Sequence, residues 1–147
     1  MSRKDNSVLP ALRKVLAETF ALYFNTHASH WNVVGPNFHS LHLLFETQYN
    51  ELHDSIDELA ERIRALDAAA PVSLKDLLSP SDIKDGIGKN ADAILKSLIA
   101  GHEALISTLH DAIEVADEAD DEGTEDLFIG RLRAHQKMLW MLKSQAA

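Results

Sequence analysis

The chain contains no cysteine. That absence excludes disulfides, thiolate zinc sites and cysteine nucleophiles, and it leaves the redox compartment open. Glycine and proline are scarce, at six and four residues, and they cluster between periodic segments, so positions that break helices are confined to a few connections. No apolar run approaches the ~20 residues that a membrane-spanning helix needs. The opening Met1-Ser2-Arg3-Lys4-Asp5 offers no apolar core of a secretory signal, and the expectation is a cytoplasmic protein. Positive charge is in deficit: 14 lysines and arginines against 23 acids leave a net charge of −9. Such a chain attracts cations and repels phosphate backbones. Nucleic-acid binding would need a local basic patch, for which Arg3-Lys4 with Arg13 and Lys14 is the candidate. The reading preferred for these residues is a solvated N-terminal arm over about residues 1–7 and an ordinary first helical turn.

What is present is length enough for a single domain spanning residues 1–147 and 46% hydrophobic residues, arranged with helical period. Over residues 8–34 the apolar positions are Leu9, Leu12, Leu16, Phe20, Tyr23 and Trp31. Gly35-Pro36-Asn37 then interrupts. A second helix is expected over 38–67, with a stripe of Phe38, Leu41, Phe45, Leu52, Ile56, Leu59, Ile63 and Leu66. Residues 68–89 form a connection too long to lack structure of its own, and 73–78 suit a short helix capped by Ser73. A third long helix over 90–119 carries Leu95, Leu98, His102, Leu105, Leu109 and Ala116 on one face. A fourth, over 124–144, turns Phe128, Leu132, His135, Leu139 and Leu142 inward. The class is all-α: a four-helix bundle with one long crossover, the ferritin-like arrangement. His102 and His135, lying on apolar stripes, are expected to be hydrogen-bonded core residues.

The second helix has another stripe, made of chemistry rather than packing. At about 100° per residue, His42, Glu46, Asp57 and Glu61 share an arc of about 100°, roughly 130° from the centre of the apolar stripe. They face solvent or another chain. Within each pair the spacing is four residues, so each pair can converge on one point. Glu46 and Asp57, however, stand roughly 16 Å apart along the axis. One helix thus presents two half-sites. Two copies crossing about a two-fold axis would bring His42 and Glu46 of one opposite Asp57 and Glu61 of the other, closing two identical sites. His30 could add a further nitrogen. Imidazole and carboxylate ligands suit Fe(II), with Zn(II) or Mn(II) as competitors. The plain alternative is solvated surface charge, with Arg62 or Arg64 pairing with the acids. His53 falls on the same stripe between the half-sites, which places it near the two-fold axis.

The run His30-Trp31-Asn32-Val33-Val34-Gly35-Pro36-Asn37-Phe38-His39-Ser40-Leu41-His42 resembles the signature of the Dps family, the mini-ferritins called DNA-binding proteins from starved cells. Asp57-Glu58-Leu59-Ala60-Glu61-Arg62 matches at the family's distance, and Asp120-Asp121, Thr124 and Lys137-Met138-Leu139-Trp140 extend the likeness from about residue 9 to 143. The resemblance implies a hollow homo-dodecamer that oxidises Fe(II), preferably with hydrogen peroxide, and stores ferric mineral. It implies ferroxidase ligands His30 and His42 from one subunit, with Asp57 and Glu61 from its two-fold mate. Glu46 stands where the family typically has aspartate, His27 where lysine is frequent, Leu43 where glutamate is frequent and Asp67 where glycine is frequent. By position, Asp117, Glu122 and Asp126 resemble the family's three-fold pore acids, although an acidic corner with Asp126 favouring a helix N-terminus reads equally well. Trp31 resembles the tryptophan beside the family's iron site, and packing alone also accounts for it. Some family members bind DNA through lysine-rich tails, which makes a nucleoid-binding role the competing function. A conventional ferritin centre would need Glu-x-x-His inside the bundle, and no glutamate in this chain is followed three residues later by histidine.

Overall fold

Helix periodicity dominates the chain, and the computed structural model, which describes residues 3–147 with side chains from residue 7 onward, is built from helices alone among those residues. In order they are α1 Arg3–Asn32, α2 Phe38–Ala65, the short α3 Leu74–Leu78, α4 Ala91–Glu118 and α5 Glu122–Ala146. The helix α1 begins at Arg3, within the stretch expected to form an N-terminal arm; Met1 and Ser2 of that arm, and the side chains of Arg3 and Lys4 from the candidate basic patch, lie outside the described residues. None of the helices is long and apolar enough among the described residues to cross a membrane.

The long helices pack α1 on α2, α4 on α5 and α1 on α4. Phe45, Phe128, Leu12, Leu52, Leu98 and Leu105 are among the side chains sealed at the centre, and burial of this apolar surface drives the assembly of the four helices. On α1 the core stripe differs from the expectation. Val8, Leu12, Val15, Leu16 and Leu22 face inward, whereas Trp31 is 59% exposed and Phe20 and Tyr23 are half-buried at the flank. The aromatic positions sit beside the true stripe because they pack on one another and on α2: Phe20 lies edge-on to Tyr23, and Tyr23 edge-on to Tyr49. On α2, Phe38 at the helix start is exposed and Ile56 half-buried, while the rest of the expected stripe is buried.

The ends of the helices follow cap chemistry. Ser73 accepts a hydrogen bond from the Asp76 N–H and starts α3, and Asn90 does the same for α4 through the Ala93 N–H. The last helix starts two residues ahead of the expected Thr124, because Asp121 is its cap and accepts from the Thr124 N–H. Two aspartates hold left-handed turns that glycine would take at less cost: Asp67 after α2 (φ +64°) and Asp120 after α4 (φ +55°). After Asp67, the Ala68 N–H bonds back to the Ile63 carbonyl, closing the helix end.

The crossover from α2 to α4 lies along α1 and is tied to it by buried polar groups. Glu18 accepts from the Asp82 N–H and from the Thr108 hydroxyl. Asn25 brackets the next turn, donating to the Lys84 carbonyl and accepting from the Gly86 N–H.

Candidate metal centre

The five-residue gap between α1 and α2 sets His30 against His42. Gly35, at φ +118°, allows the reversal of direction. The His30 Nδ1–H donates to the His42 carbonyl oxygen at 2.8 Å, and the His42 Nδ1–H donates to the His30 carbonyl oxygen at 2.7 Å. The two rings stack with centroids 3.7 Å apart and planes within 14°. A carbonyl oxygen only accepts, so each Nδ1 must carry the proton. In the neutral ring this tautomer leaves the lone pair on Nε2, the state a metal ligand requires. Main chain of the first helix end fixes one ring and main chain of α2 fixes the other, so the pair is oriented before any metal arrives.

Glu46, one turn after His42, brings a carboxylate oxygen to 3.9 Å from His30 Nε2. His42, by ring stacking, and Glu46, at this distance, thus flank His30 at this end of α2. Asp57 and Glu61 are not brought to it. They are exposed about three and four turns beyond Glu46 on the same helix, with no hydrogen-bond or ion-pair partner among the described residues. Arg62 and Arg64 do not neutralise them. Arg62 turns to the other side, to Asp121 at 3.0 Å and the Thr124 hydroxyl at 2.9 Å, and Arg64 donates to the Ala68 carbonyl. Surface pairing of the acids with these two arginines is thereby overturned. Within one chain, and among the described residues, no three histidine, aspartate or glutamate side chains are grouped to hold a metal ion.

Around the histidine cluster lies a set of rings whose contacts the sequence did not disclose. His27 stacks on Tyr49 (3.8 Å, 10°) and leans on Trp31 (4.4 Å). Its Nδ1 is 2.9 Å from the Tyr23 hydroxyl. Burial, then repulsion from His30 and His53, holds the His27 pKa below its ordinary value. Tyr49 stands edge-on to His30, 5.2 Å away. Trp31 therefore reaches the cluster through His27 while its other side is open. His53 is exposed and lies against Tyr23.

At the opposite end of the bundle, Asp117, Glu122 and Asp126 are all exposed around the α4–α5 corner. Asp126 is not in the first turn of α5, where the acids are Glu122 and Glu125. The corner is held by Asp121. Its burial would raise the carboxyl pKa, but hydrogen bonds from Thr124 and the Arg62 charge outweigh that and lower it.

A family model for the ferritin-like domain matches residues 9–147. The DNA protection during starvation protein of Brevibacillus brevis is 37% identical over 134 residues, 90% of each chain. Among solved structures, Dps from Thermosynechococcus elongatus superposes with a TM-score of 0.93 at 36% identity, covering 98% of this chain and 92% of that one. The Vibrio cholerae O1 Dps protein, reported as a member of a broad superfamily of ferritin-like diiron-carboxylate proteins, superposes at 0.92 with 34% identity, covering 98% and 91%.

Proposed function

Because this chain belongs to the Dps family of ferritin-like proteins, we propose that it is a ferroxidase and iron store, oxidising Fe(II) with hydrogen peroxide at sites shared between two-fold-related subunits and holding ferric mineral inside a hollow homo-dodecamer. The observation that carries this reading is the split of the ligand set. His30 and His42 are preset with free Nε2 lone pairs beside Glu46, while Asp57 and Glu61 stand unpaired on the same helix out of their reach.

A second copy of α2 crossing this one about a two-fold axis supplies the missing carboxylates to each half-site. In that arrangement imidazole nitrogens and carboxylate oxygens bind Fe(II), and the carboxylates favour the Fe(III) product. The protein's own contribution is orientation: the carbonyl bonds hold both rings, so little reorganisation accompanies iron binding. Peroxide accepts two electrons, one from each of two Fe(II) ions, and leaves as hydroxide or water, which avoids release of hydroxyl radical. The acids Asp117, Glu122 and Asp126 would line the entry for the cation, where their combined negative potential raises the local Fe(II) concentration.

Names such as the Brevibacillus relative's favour a second reading, protection of DNA by direct binding. The charge of −9 opposes it, and two of the candidate basic residues are already engaged: Arg13 with the Ala69 carbonyl and Lys14 with Asp82 at 2.9 Å. A gel shift at low salt separates the two, with free DNA beside an intact assembly ruling the second out. The first is tested by adding peroxide to the protein loaded with Fe(II) and following ferric absorbance, together with a crystal structure after an Fe(II) soak. Metal density between the His30–His42 pair of one subunit and Asp57 of another is the expected result; metal bound by one subunit alone would overturn the reading.

A further inference from the structure

The centre of the bundle carries a second group of polar side chains, on α2, α4 and α5. His102 on α4 and His135 on α5 are fully buried, with Nδ1 atoms 3.0 Å apart. Arg131, one turn before His135, brings a guanidinium nitrogen to 3.2 Å from His135 Nε2. A guanidinium only donates, so His135 Nε2 accepts. Burial first, and the Arg131 charge with it, pushes the His102 pKa down to about 3 and that of His135 well below its ordinary value. Both rings are therefore neutral, and the proton positions follow. His135 carries its proton on Nδ1 and donates it to His102 Nδ1, which leaves the His102 proton on Nε2. Each ring's one lone pair is used, so neither imidazole has any left for a metal ion.

The chain of bonds leaves three buried polar atoms without a protein partner: His102 Nε2, Arg131 Nε and Gln48 Oε1. The three side chains are linked through α5, His102 by its bond to His135 and Arg131 by its own bond to the same ring. The Gln48 amide nitrogen donates to the carbonyl of Met138, one turn beyond His135. Glu51, one turn beyond Gln48, takes both terminal nitrogens of Arg131 at 2.6 and 2.8 Å. The three atoms thus offer two N–H donors and one oxygen acceptor. A cation would meet two N–H bonds and a guanidinium. An anion would meet the amide oxygen. An apolar filler would satisfy none of the three. Water accepts up to two hydrogen bonds and donates up to two, so one molecule can serve both N–H donors and the oxygen with one O–H to spare.

We propose that His102 Nε2, Arg131 Nε and Gln48 Oε1 together hold one internal water molecule, so that the core of this bundle binds water where its histidines would otherwise invite metal. A crystal structure of the assembled protein at a resolution that shows ordered solvent tests it. The expected result is a peak at about 2.7–3.2 Å from both His102 Nε2 and Gln48 Oε1 in every subunit. Direct contact between those two atoms, or metal at His102 after a Zn(II) soak, would overturn it. Stability gives a second test through Gln48→Leu, His102→Leu and the double variant. Sharing one water predicts that each single change lowers Tm by roughly 2–8 °C and that the double change costs less than the two together. Strictly additive losses would overturn the proposal.

Discussion

Two pairs of histidines sit in this bundle in opposite circumstances. His102 and His135 lie in the core, bonded to each other, with Arg131 of the same chain donating to His135. His30 and His42 lie at the surface end of α1 and α2, each bonded to the other's main chain, with an unused Nε2 on both. Arg131 takes Glu51 in the first region, whereas Asp57 and Glu61, further along α2 from the second, take no partner among the described residues. Buried polar groups must be satisfied within the fold. Groups at an interface can wait, because a second chain or a ligand completes them. The difference separates residues that hold the bundle together from residues that act once it has assembled.

The largest expected effect breaks the second region. Asp57→Ala combined with Glu61→Ala removes the carboxylate half of each shared site, and the initial rate of Fe(II) oxidation should fall by about 100-fold or more, with the assembly unchanged by size-exclusion chromatography. Rates equal to the unaltered protein's would detach these acids from the chemistry.

Next comes acidification, which acts on the first region. Both core histidines have folded pKa values below the 6.5 of an unperturbed ring, so the unfolded chain binds more protons. Stability is fully present above pH 6.5 and declines as the pH falls below it, for His102 until about pH 3, at up to about 1 kcal/mol per pH unit for a ring held neutral. Urea unfolding midpoints should drop between pH 6.5 and 5, and the slope should shrink in His102→Phe. A flat profile would mean that the rings are not held neutral.

Arg131→Leu strands Glu51 and His135 together. The cost should be about 2–3 kcal/mol, tempered because Glu51 is partly exposed, and Fe(II) oxidation by the surviving assembly should be unaffected. Denaturant titration and the peroxide assay separate the two outcomes. The smallest effect is a gain: Asp67→Gly relieves a left-handed residue and should stabilise by about 0.5–1 kcal/mol, read as a small rise in Tm.

Much of this architecture was legible from local pattern. The spacing of Leu41, Phe45, Leu52, Leu59 and Ile63 sets the buried face of α2, and Ser73 marks the start of α3 by cap chemistry alone. The convergence of His30 with His42 also follows from a short Gly-Pro turn between two helices. Other features depend on partners far away in the chain. Arg131 and Glu51 are eighty residues apart, and nothing in either neighbourhood announces the pairing. The destination of Arg62 at Asp121 is hidden in the same way, although Asp121 followed three residues later by Thr124 is a cap signal that places the start of α5. On α1, counting aromatic residues as core moved the stripe sideways. Tyr23 and Trp31 pack against His27 and Tyr49 along the helix flank, a use that periodicity does not distinguish from burial.

The central claim is that each iron site draws its histidines from one chain and its carboxylates from another. Subunits with His30→Ala and His42→Ala, and subunits with Asp57→Ala and Glu61→Ala, should each be inactive when assembled alone. Unfolded together and reassembled at random, half of the two-fold dimers are mixed, and each mixed dimer contains one complete site and one empty of both halves, so roughly a quarter of the original Fe(II) oxidation rate should return. A mixed assembly as inactive as either parent would contradict the account.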